Sequence, residues 1–208
     1  MSLTDWIILI TELVGTVAFS VSGSLTAIER RLDFFGIMVL AIFTAVGGGL
    51  IRDLILGNTP PVMFRNPLYV LVAFASSLLL ILFSPFFLRT HYSKKMNIVM
   101  HGINIFDAIG LGIFTLTGMN TAFSMGYHNM FLAVFVGVTT GVGGGVMRDV
   151  LAGRTPQLLR RDIYAVAAII GALSFYAFEL VMPHAAAMLS AAVLIVLIRL
   201  VALHRRWN

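Results

Sequence analysis

The sequence predicts an all-α polytopic membrane protein whose seven transmembrane helices form two inverted three-helix repeats plus a seventh helix. Three observations predict this class. Of the 208 residues, 59% are hydrophobic and only 11% are charged, whereas about half of the residues of a soluble domain are apolar. The apolar residues also fall into long runs, and one seven-residue motif occurs twice.

Seven apolar runs remain when the chain is divided at its charged residues, prolines and polar clusters. Each run reaches or exceeds the length of about 20 residues that an α-helix needs to cross a bilayer. The predicted spans are residues 5–27, 33–56, 67–88, 97–118, 129–152, 163–182 and 184–203. The connections between the spans are short, so we expect no separate soluble domain.

The lysines and arginines fall mainly on one side of this seven-helix path. Only Arg52 and Arg65 belong to the other side. The twelve on the basic side are Arg30, Arg31, Arg89, Lys94, Lys95, Arg148, Arg154, Arg160, Arg161, Arg199, Arg205 and Arg206. Because cytoplasmic segments collect Lys and Arg, the N-terminus is predicted outside and the C-terminus in the cytoplasm. The net charge of +5 therefore reflects topology, and we expect contact with anionic membrane lipid and no nucleic-acid partner.

A duplicated motif divides the chain into repeats. Residues 47–53 (GGGLIRD) recur as residues 143–149 (GGGVMRD). Further matched pairs are Glu12/Asp107, Gly15/Gly110, Phe19/Phe114, Gly23/Gly118, Gly57/Gly153, Pro60/Pro156 and Arg65/Arg161. Each copy has three predicted spans, and this odd number makes the second copy enter the membrane with opposite polarity. We therefore expect residues 1–92 and 93–183 to be inverted repeats, followed by residues 184–208 as the seventh helix and a cytoplasmic tail. Inverted repeats are typical of proteins that move solutes.

Each copy has three consecutive glycines in the second half of a predicted span. A glycine in a helix costs about 1 kcal/mol relative to alanine, so we expect a kink or a break at each triplet. Non-helical backbone at membrane depth occurs only inside protein or beside a water-filled cavity, which favours a position along a central passage. The alternative is that the glycines allow close helix packing. The triplets are Gly47, Gly48 and Gly49, and Gly143, Gly144 and Gly145.

An arginine and an aspartate follow each triplet. Arg52 and Arg148 lie inside predicted spans, where arginines usually face the protein interior or water. We expect an interior or pore-facing position with a role in gating, the alternative being that both side chains extend to the nearest interface. Asp53 and Asp149 are adjacent to these arginines and about 100° around the helix. We expect them to cap local backbone or to contact a partner other than their own arginine.

Two carboxylates and several hydroxyls accompany the triplets. Glu12 and Asp107 lie at matched positions on the first helix of each repeat. Each is a candidate counter-charge for an arginine, a cation site or a proton relay. Thr44 precedes the first triplet, and Thr139 and Thr140 precede the second. These hydroxyls either replace water around a partly dehydrated ion or bond to helix carbonyls and neighbouring helices.

The residue content argues against an enzyme. The chain has no cysteine, which excludes disulfide bonds and thiolate chemistry. The five histidines share no metal-ligand spacing, and no nucleophile and base stand at a reactive spacing. The sequence therefore predicts no catalytic residue, no metal site and no cofactor.

The doubled GGGxxRD motif, on two inverted three-helix repeats followed by a seventh helix, resembles the prokaryotic TRIC family. These proteins are relatives of the trimeric intracellular cation channels. The resemblance covers about residues 5–203. It implies a homotrimer in the prokaryotic inner membrane, with a potassium-conducting pathway in each protomer lined by kinked second and fifth helices. It also implies that the two triplets are the family's glycine hinges and that Arg52 and Arg148 flank the pore. Animal members have lysine where Arg148 stands, so their phosphoinositide and calcium regulation is not transferred.

Two functions remain open, because the same domain has also been labelled a glycine transporter. In the first hypothesis the protein is a monovalent cation channel, in which backbone carbonyls and hydroxyls replace part of the hydration shell of potassium. Two arginines beside a pore repel potassium, so each must be paired with a carboxylate, held away from the ion path or used as a gate. In the alternative, the protein transports a glycine-like small solute by alternating access, and an arginine or a helix N-terminus holds the solute's carboxylate.

Overall fold

The structure is a computed structural model that describes residues 3–88, 92–160, 163–205 and 207, with side chains for 4–83, 98–160, 163–205 and 207. These residues form eight α-helices and one turn of 3-10 helix, Gln157–Leu159. The helices are α1 (Leu3–Glu29), α2 (Phe34–Ile55), α3 (Val62–Arg65), α4 (Leu68–Leu88), α5 (Tyr92–Ser124), α6 (Met130–Leu151), α7 (Ala165–Glu179) and α8 (His184–His204). The prediction of an all-helical chain is confirmed.

Five of the described helices, α1, α2, α5, α6 and α8, are long and apolar enough to cross a membrane. Leu68–Phe83 of α4 and Ala165–Glu179 of α7 are apolar but shorter. The protein is therefore a multi-pass membrane protein. Helix α5 extends beyond the predicted span 97–118 at both ends. Helix α3 and the 3-10 turn were not predicted, because such short elements carry no periodic apolar pattern.

Some of the predicted features lie outside the described residues. Arg89, Arg161 and Arg206 of the predicted basic side are among these, and the side chains of Lys94 and Lys95 are not described either. The match of Arg65 with Arg161 therefore stays a prediction.

Helices α2 and α6 begin and end in the same way. The side chains of Asp33 and Asn129 accept a hydrogen bond from the backbone N–H three residues later, at 2.7 Å and 3.0 Å. These interactions satisfy N–H groups that have no partner within the helix. After each helix comes a glycine with a φ of 69° (Gly57) or 66° (Gly153), a conformation that favours glycine and stops the helix. The sequence similarity thus extends to both boundaries.

A short helical element follows each of these glycines, and its position corrects one predicted match. Pro61 precedes α3, and Pro156 precedes the 3-10 turn. The match of Pro60 with Pro156 is therefore wrong by one residue, because the connection after Gly57 is one residue longer than the connection after Gly153.

The long helices pack in two sets of three. Helices α1, α2 and α4 contact one another, and so do α5, α6 and α7. The sets meet where α1 packs on α5 and α2 packs on α6. Helix α8 packs mainly on α5 and α7, and a buried apolar cluster that includes Leu111, Phe175 and Ile195 joins these three helices.

Candidate functional site

Helices α2 and α6 touch through their backbones at the two glycine triplets, a contact that we call the glycine crossing. A Cβ atom on Gly48 would overlap the carbonyl oxygen of Thr140, and a Cβ atom on Gly144 would overlap the carbonyl oxygen of Thr44. Any larger residue at either glycine would therefore push the two helices apart. The glycines bring two helix backbones into direct contact at the centre of the protein.

The predicted break at the triplets is wrong, whereas the predicted kink stays a prediction. Helix α2 continues through Gly47, Gly48 and Gly49 to Ile55, and α6 continues through its own triplet to Leu151. The expectation counted only the cost of glycine within a single helix. Close packing of α2 on α6 compensates for that cost, as small residues allow between membrane helices.

Two phenylalanines lie beside the glycine crossing. The rings of Phe19 on α1 and Phe114 on α5 stack with their centroids 5.2 Å apart. A Cβ atom on Gly110 would overlap the Phe19 ring, and a Cβ atom on Gly15 would lie 3.2 Å from the Phe114 ring. The Phe19 ring therefore occupies the space that Gly110 leaves, whereas the space beside Gly15 is shared by Ile113, whose Cγ2 would lie 2.6 Å from the added Cβ atom, and the Phe114 ring.

Each arginine of the motif pairs with the aspartate that follows it. Arg52 Nε donates to Asp53 Oδ1 and Arg148 Nε donates to Asp149 Oδ1, both at 2.9 Å. The second oxygen of each aspartate accepts a backbone N–H of the following short helical element, at 2.8 Å. The expected capping of local backbone by the two aspartates is observed, but the expectation that they would not pair with these arginines is wrong. It considered only the angle between the two Cβ positions, whereas the long arginine side chain folds back to its neighbour.

Glu12, Arg52, Asp53 and Tyr69 form what we call the first cluster. The hydroxyl of Tyr69 on α4 donates to Glu12 Oε2 at 2.5 Å. Arg52 is 8% exposed and Asp53 is 1% exposed. All four residues line a cavity of about 250 Å³. This cavity is also lined by Gly49, Thr16, Phe114 and Thr121, so it extends from the charged residues to the glycine crossing.

Asp107, Arg148, Asp149 and Tyr164 occupy the matching positions of the second half, and with Arg199 they form what we call the second cluster. Arg148 Nη1 donates to Asp107 Oδ1 at 2.6 Å. The same nitrogen donates to the Ser22 hydroxyl on α1 at 2.7 Å. Asp107, Arg148 and Asp149 are all 0% exposed. These three charged groups are therefore sealed from solvent.

Helix α8 and the end of α6 add further charges to the second cluster. Arg199 Nη2 on α8 lies 3.8 Å from Asp107 Oδ2. Arg154 Nε lies 3.4 Å from Asp149 Oδ1, and its Nη1 donates to Glu29 Oε2 at 3.1 Å. Both arginines of the motif thus lie inside the protein, and neither extends to an interface. The structure brings Asp107 together with Arg148, whereas it brings Glu12 to a tyrosine beside Arg52.

The formal charges of the two clusters differ. Among the described residues that line the first cavity, Arg52 is cationic and two are anionic, so the formal net charge is −1. In the second half, three arginines meet three carboxylates at 4.0 Å or less. The second cluster with these additional groups is therefore formally neutral, and the first is negative and open.

The predicted threonines bond to their own helices. The hydroxyls of Thr44 and Thr140 donate to carbonyl oxygens four residues earlier, both at 2.6 Å, and both side chains are buried. The hydroxyl of Thr139 donates to the carbonyl oxygen of Phe135 at 2.7 Å. The two roles expected for these hydroxyls were contact with a partly dehydrated ion and hydrogen bonding within or between helices. The observed hydrogen bonds go to carbonyl oxygens of the same helix.

Sequence reasoning missed Tyr69, Tyr164 and Arg199 as site residues. A signal existed for the tyrosines, because each follows its carboxylate by 57 residues. Extending the repeat comparison to the third span would have found them. Arg199 has no counterpart in the first half, so no repeat could reveal it.

Comparisons with known proteins agree with this architecture. A family model described as "Glycine transporter" matches residues 9–85 and 104–179. The inner membrane protein YadS of Escherichia coli is 39% identical over 201 residues, which cover 95% of this chain and 91% of YadS.

Solved structures match the whole fold. The trimeric intracellular cation channel orthologue from Rhodobacter sphaeroides is 33% identical, with a TM-score of 0.83 over 95% of this chain and 97% of that chain. A prokaryotic TRIC channel crystallised in 0.5 M KCl is 30% identical, with a TM-score of 0.87 over 98% of both chains. Similarity of sequence and of fold extends over nearly the full length in each case. The chain therefore belongs to the TRIC family.

Proposed function

We propose that this protein is a monovalent cation channel that conducts potassium and needs no cofactor. The observation that carries the proposal is that both buried arginines are paired with carboxylates, while the cavity of the first cluster keeps one carboxylate in excess. An unpaired arginine beside an ion path would repel a cation. Pairing removes that barrier, and the extra charge of Glu12 attracts cations into the cavity. Solved structures of similar proteins, described as cation channels, support this function over an enzymatic one.

The proposed pathway runs through each protomer, between the second and fifth predicted spans, α2 and α6. The cavity of the first cluster reaches Ala45, Val46 and Gly49 on α2, which supports an approach to the glycine crossing from one side. We propose that the triplets act as hinges at which the continuous helices bend to widen the path. Residues 1–92 and 93–183 form the two inverted repeats in this proposal, and residues 184–208 add a seventh span. The reciprocal glycine and phenylalanine contacts support that symmetry.

The proposed assembly is a homotrimer in the prokaryotic inner membrane, surrounded by lipid. The Rhodobacter sphaeroides orthologue is described as trimeric, and YadS is described as an inner membrane protein. The excess of Lys and Arg on one side supports an external N-terminus and a cytoplasmic C-terminus. Since the chain has no cysteine, a single Trp207→Cys change reports orientation in intact cells. An impermeant thiol reagent is expected to label this cysteine only after the membrane is opened.

The reversal potential in a planar bilayer tests the function. Purified protein is reconstituted under a potassium chloride gradient. We expect discrete current steps that reverse near the potassium equilibrium potential. Reversal near the chloride potential would contradict cation selectivity. No current, with a known channel active in the same preparation, would favour transport of a small solute instead.

The alternative function is alternating-access transport of a glycine-like amino acid. Two observations favour it as the second candidate: the family model that matches the chain is described as "Glycine transporter", and the cavity of about 250 Å³ carries both signs of charge. Arg52 suits a carboxylate, and Glu12 suits an ammonium group. Uptake of radiolabelled glycine into proteoliposomes distinguishes the two functions, since a cation channel is expected to give none above empty liposomes.

A further inference from the structure

Arg199 is the group that most clearly distinguishes the second cluster from the first. It lies on α8, which has no counterpart in the first set of helices. Its side chain is 1% exposed. In the first half, the corresponding space beside Glu12, Asp53 and Tyr69 belongs to the open cavity. In the second half, the guanidinium of Arg199 fills the space beside Asp107 and Tyr164.

The contacts that hold Arg199 are few for a buried cation. Its Cζ lies 4.4 Å above the centre of the Tyr164 ring. Its Nη2 donates to Gln157 Oε1 at 3.3 Å and lies 3.8 Å from Asp107 Oδ2. Its Nε has no hydrogen-bond partner within the described part of the chain. Arg148, by contrast, forms hydrogen bonds of 2.6 to 2.9 Å.

Space for a second position of Arg199 exists next to the cluster. A cavity of about 520 Å³ between α5 and α8 is lined by Arg199 itself, with Asn104, His101 and His204. The side-chain carbonyl of Asn104, which lines this cavity, would accept a hydrogen bond from a displaced guanidinium. The side chain therefore has both space and a hydrogen-bond acceptor in the adjacent cavity.

We propose that Arg199 is a tethered cation that closes the second half of the pathway. It occupies, beside Asp107, the position that a permeant cation takes when the path is open, and it opens the path by moving into the α5–α8 cavity. This inference rests on the proposed channel function. Because Arg199 is attached to α8, movement of α8 relative to α5 controls the opening. The first cluster needs no such movement, since its cavity is already open.

Thiol labelling tests the closing role without requiring any current. Ser22 is 0% exposed and accepts a hydrogen bond from Arg148, and the chain has no native cysteine. In a Ser22→Cys background, a cationic methanethiosulfonate reagent is expected to react slowly with the purified full-length protein. Adding Arg199→Gln is expected to increase the labelling rate about tenfold or more. Changes of this size are typical when one group controls access to another site in the same protein.

Arg205→Gln is the matched control, because it removes the same charge from the same end of α8 at an exposed position. We expect it to leave the labelling rate unchanged. Arg199→Lys is the second variant, used also if Arg199→Gln does not give a monodisperse protein. Lysine keeps the charge but loses the planar group that stacks on Tyr164, so an intermediate rate is expected. The proposal would be overturned if Arg199→Gln or Arg199→Lys left the labelling rate equal to that of the Ser22→Cys background.

Bilayer recordings of the same Arg199→Gln variant separate this inference from the proposed function. A higher open fraction than in the native protein, with Arg205→Gln unchanged, supports both. Faster labelling of Arg199→Gln in a protein that passes no current would contradict the channel function, but it would still support the role of Arg199 in closing access to the second cluster. Normal currents with unchanged labelling and unchanged open fraction would contradict the role of Arg199 alone.

Discussion

The glycine crossing is the same in both halves of the repeated sequence, whereas the two charged clusters differ although their residues match. At the crossing, each half makes the same contact with the other, glycine against a threonine carbonyl. In the clusters, the same four positions carry Glu12 or Asp107, an arginine, an aspartate and a tyrosine, yet one cluster is open and the other is buried. Arg199, which lies outside the repeat, lies 3.8 Å from Asp107 Oδ2 in the buried cluster and has no equivalent among the described residues that line the first cavity. The repeated residues thus join the halves, while an unrepeated residue distinguishes the two clusters.

Asp107→Asn should have the largest effect on stability. Asp107 is 0% exposed and lies against two arginines, and removal of one partner of a buried ion pair typically costs about 3–5 kcal/mol. Unfolding in mixed micelles measures the loss. Glu12→Gln is the matched variant in the open cluster, where we expect a cost of less than about 1 kcal/mol. Equal losses in the two variants would contradict the electrostatic difference between the clusters.

Gly48→Ala should have the next largest effect, because the added methyl group meets the carbonyl oxygen of Thr140. Overpacking of this kind costs about 1–3 kcal/mol. Gly49→Ala is the control within the same triplet, since its Cβ atom would make only an ordinary van der Waals contact of 3.7 Å with Nη2 of Arg52. We expect that variant to remain within about 1 kcal/mol of the native protein.

Gly144→Ala tests the symmetry of the crossing with the same measurement. Its Cβ atom would overlap the Thr44 carbonyl oxygen and lie 2.8 Å from Cε2 of Phe19. A loss similar to that of Gly48→Ala is expected. A native-like melting temperature would show that the two helices separate easily at this point, which the reciprocal contacts argue against.

Glu12→Gln should alter selectivity while it leaves the fold intact. It removes the excess negative charge from the cavity of the first cluster, so cations lose their attraction to that entrance. We expect the potassium-to-chloride permeability ratio, measured from reversal potentials, to fall severalfold. Thr16→Val, on the same cavity wall but uncharged, is expected to retain the native ratio. A native ratio in Glu12→Gln would remove Glu12 from the permeation path.

Thr44→Val and Thr140→Val should have the smallest effects. Each hydroxyl donates to a carbonyl oxygen of its own helix, so its loss is expected to cost less than about 1 kcal/mol. Valine has nearly the same shape as threonine, and single-channel conductance should stay native. A clear fall in conductance would show that these hydroxyls contact the ion.

Local sequence signals predicted most of the fold. Both α2 and α6 were predicted to within two residues at each end, because apolar runs and polar boundary residues act within a few positions of the helix. The prediction of a helical break was wrong because the interaction that decides it is not local. What stabilises Gly48 in a helix is the backbone of α6, which lies far away in the sequence.

The sequence predicted most of the residues of the charged site, but it did not predict which of them contact one another. The repeated sequence identified Glu12, Asp107 and both motif arginines, since the duplication places similar residue types at matched positions of both halves. Pairing within each Arg-Asp dipeptide depends on side-chain length and rotamer, which a helical wheel does not describe. The involvement of Arg199 depends on how α8 packs on α5, a contact without any local signal.

The length of α7 has a consequence for the surrounding bilayer. Its 15 residues span about 22 Å, which is less than the hydrocarbon thickness of about 30 Å. Leu180 and Val181, which follow α7, are 85% and 78% exposed and extend the apolar surface only as irregular backbone. Hydrophobic mismatch on this flank favours lipids with shorter acyl chains, because a thinner membrane meets the short helix at less elastic cost.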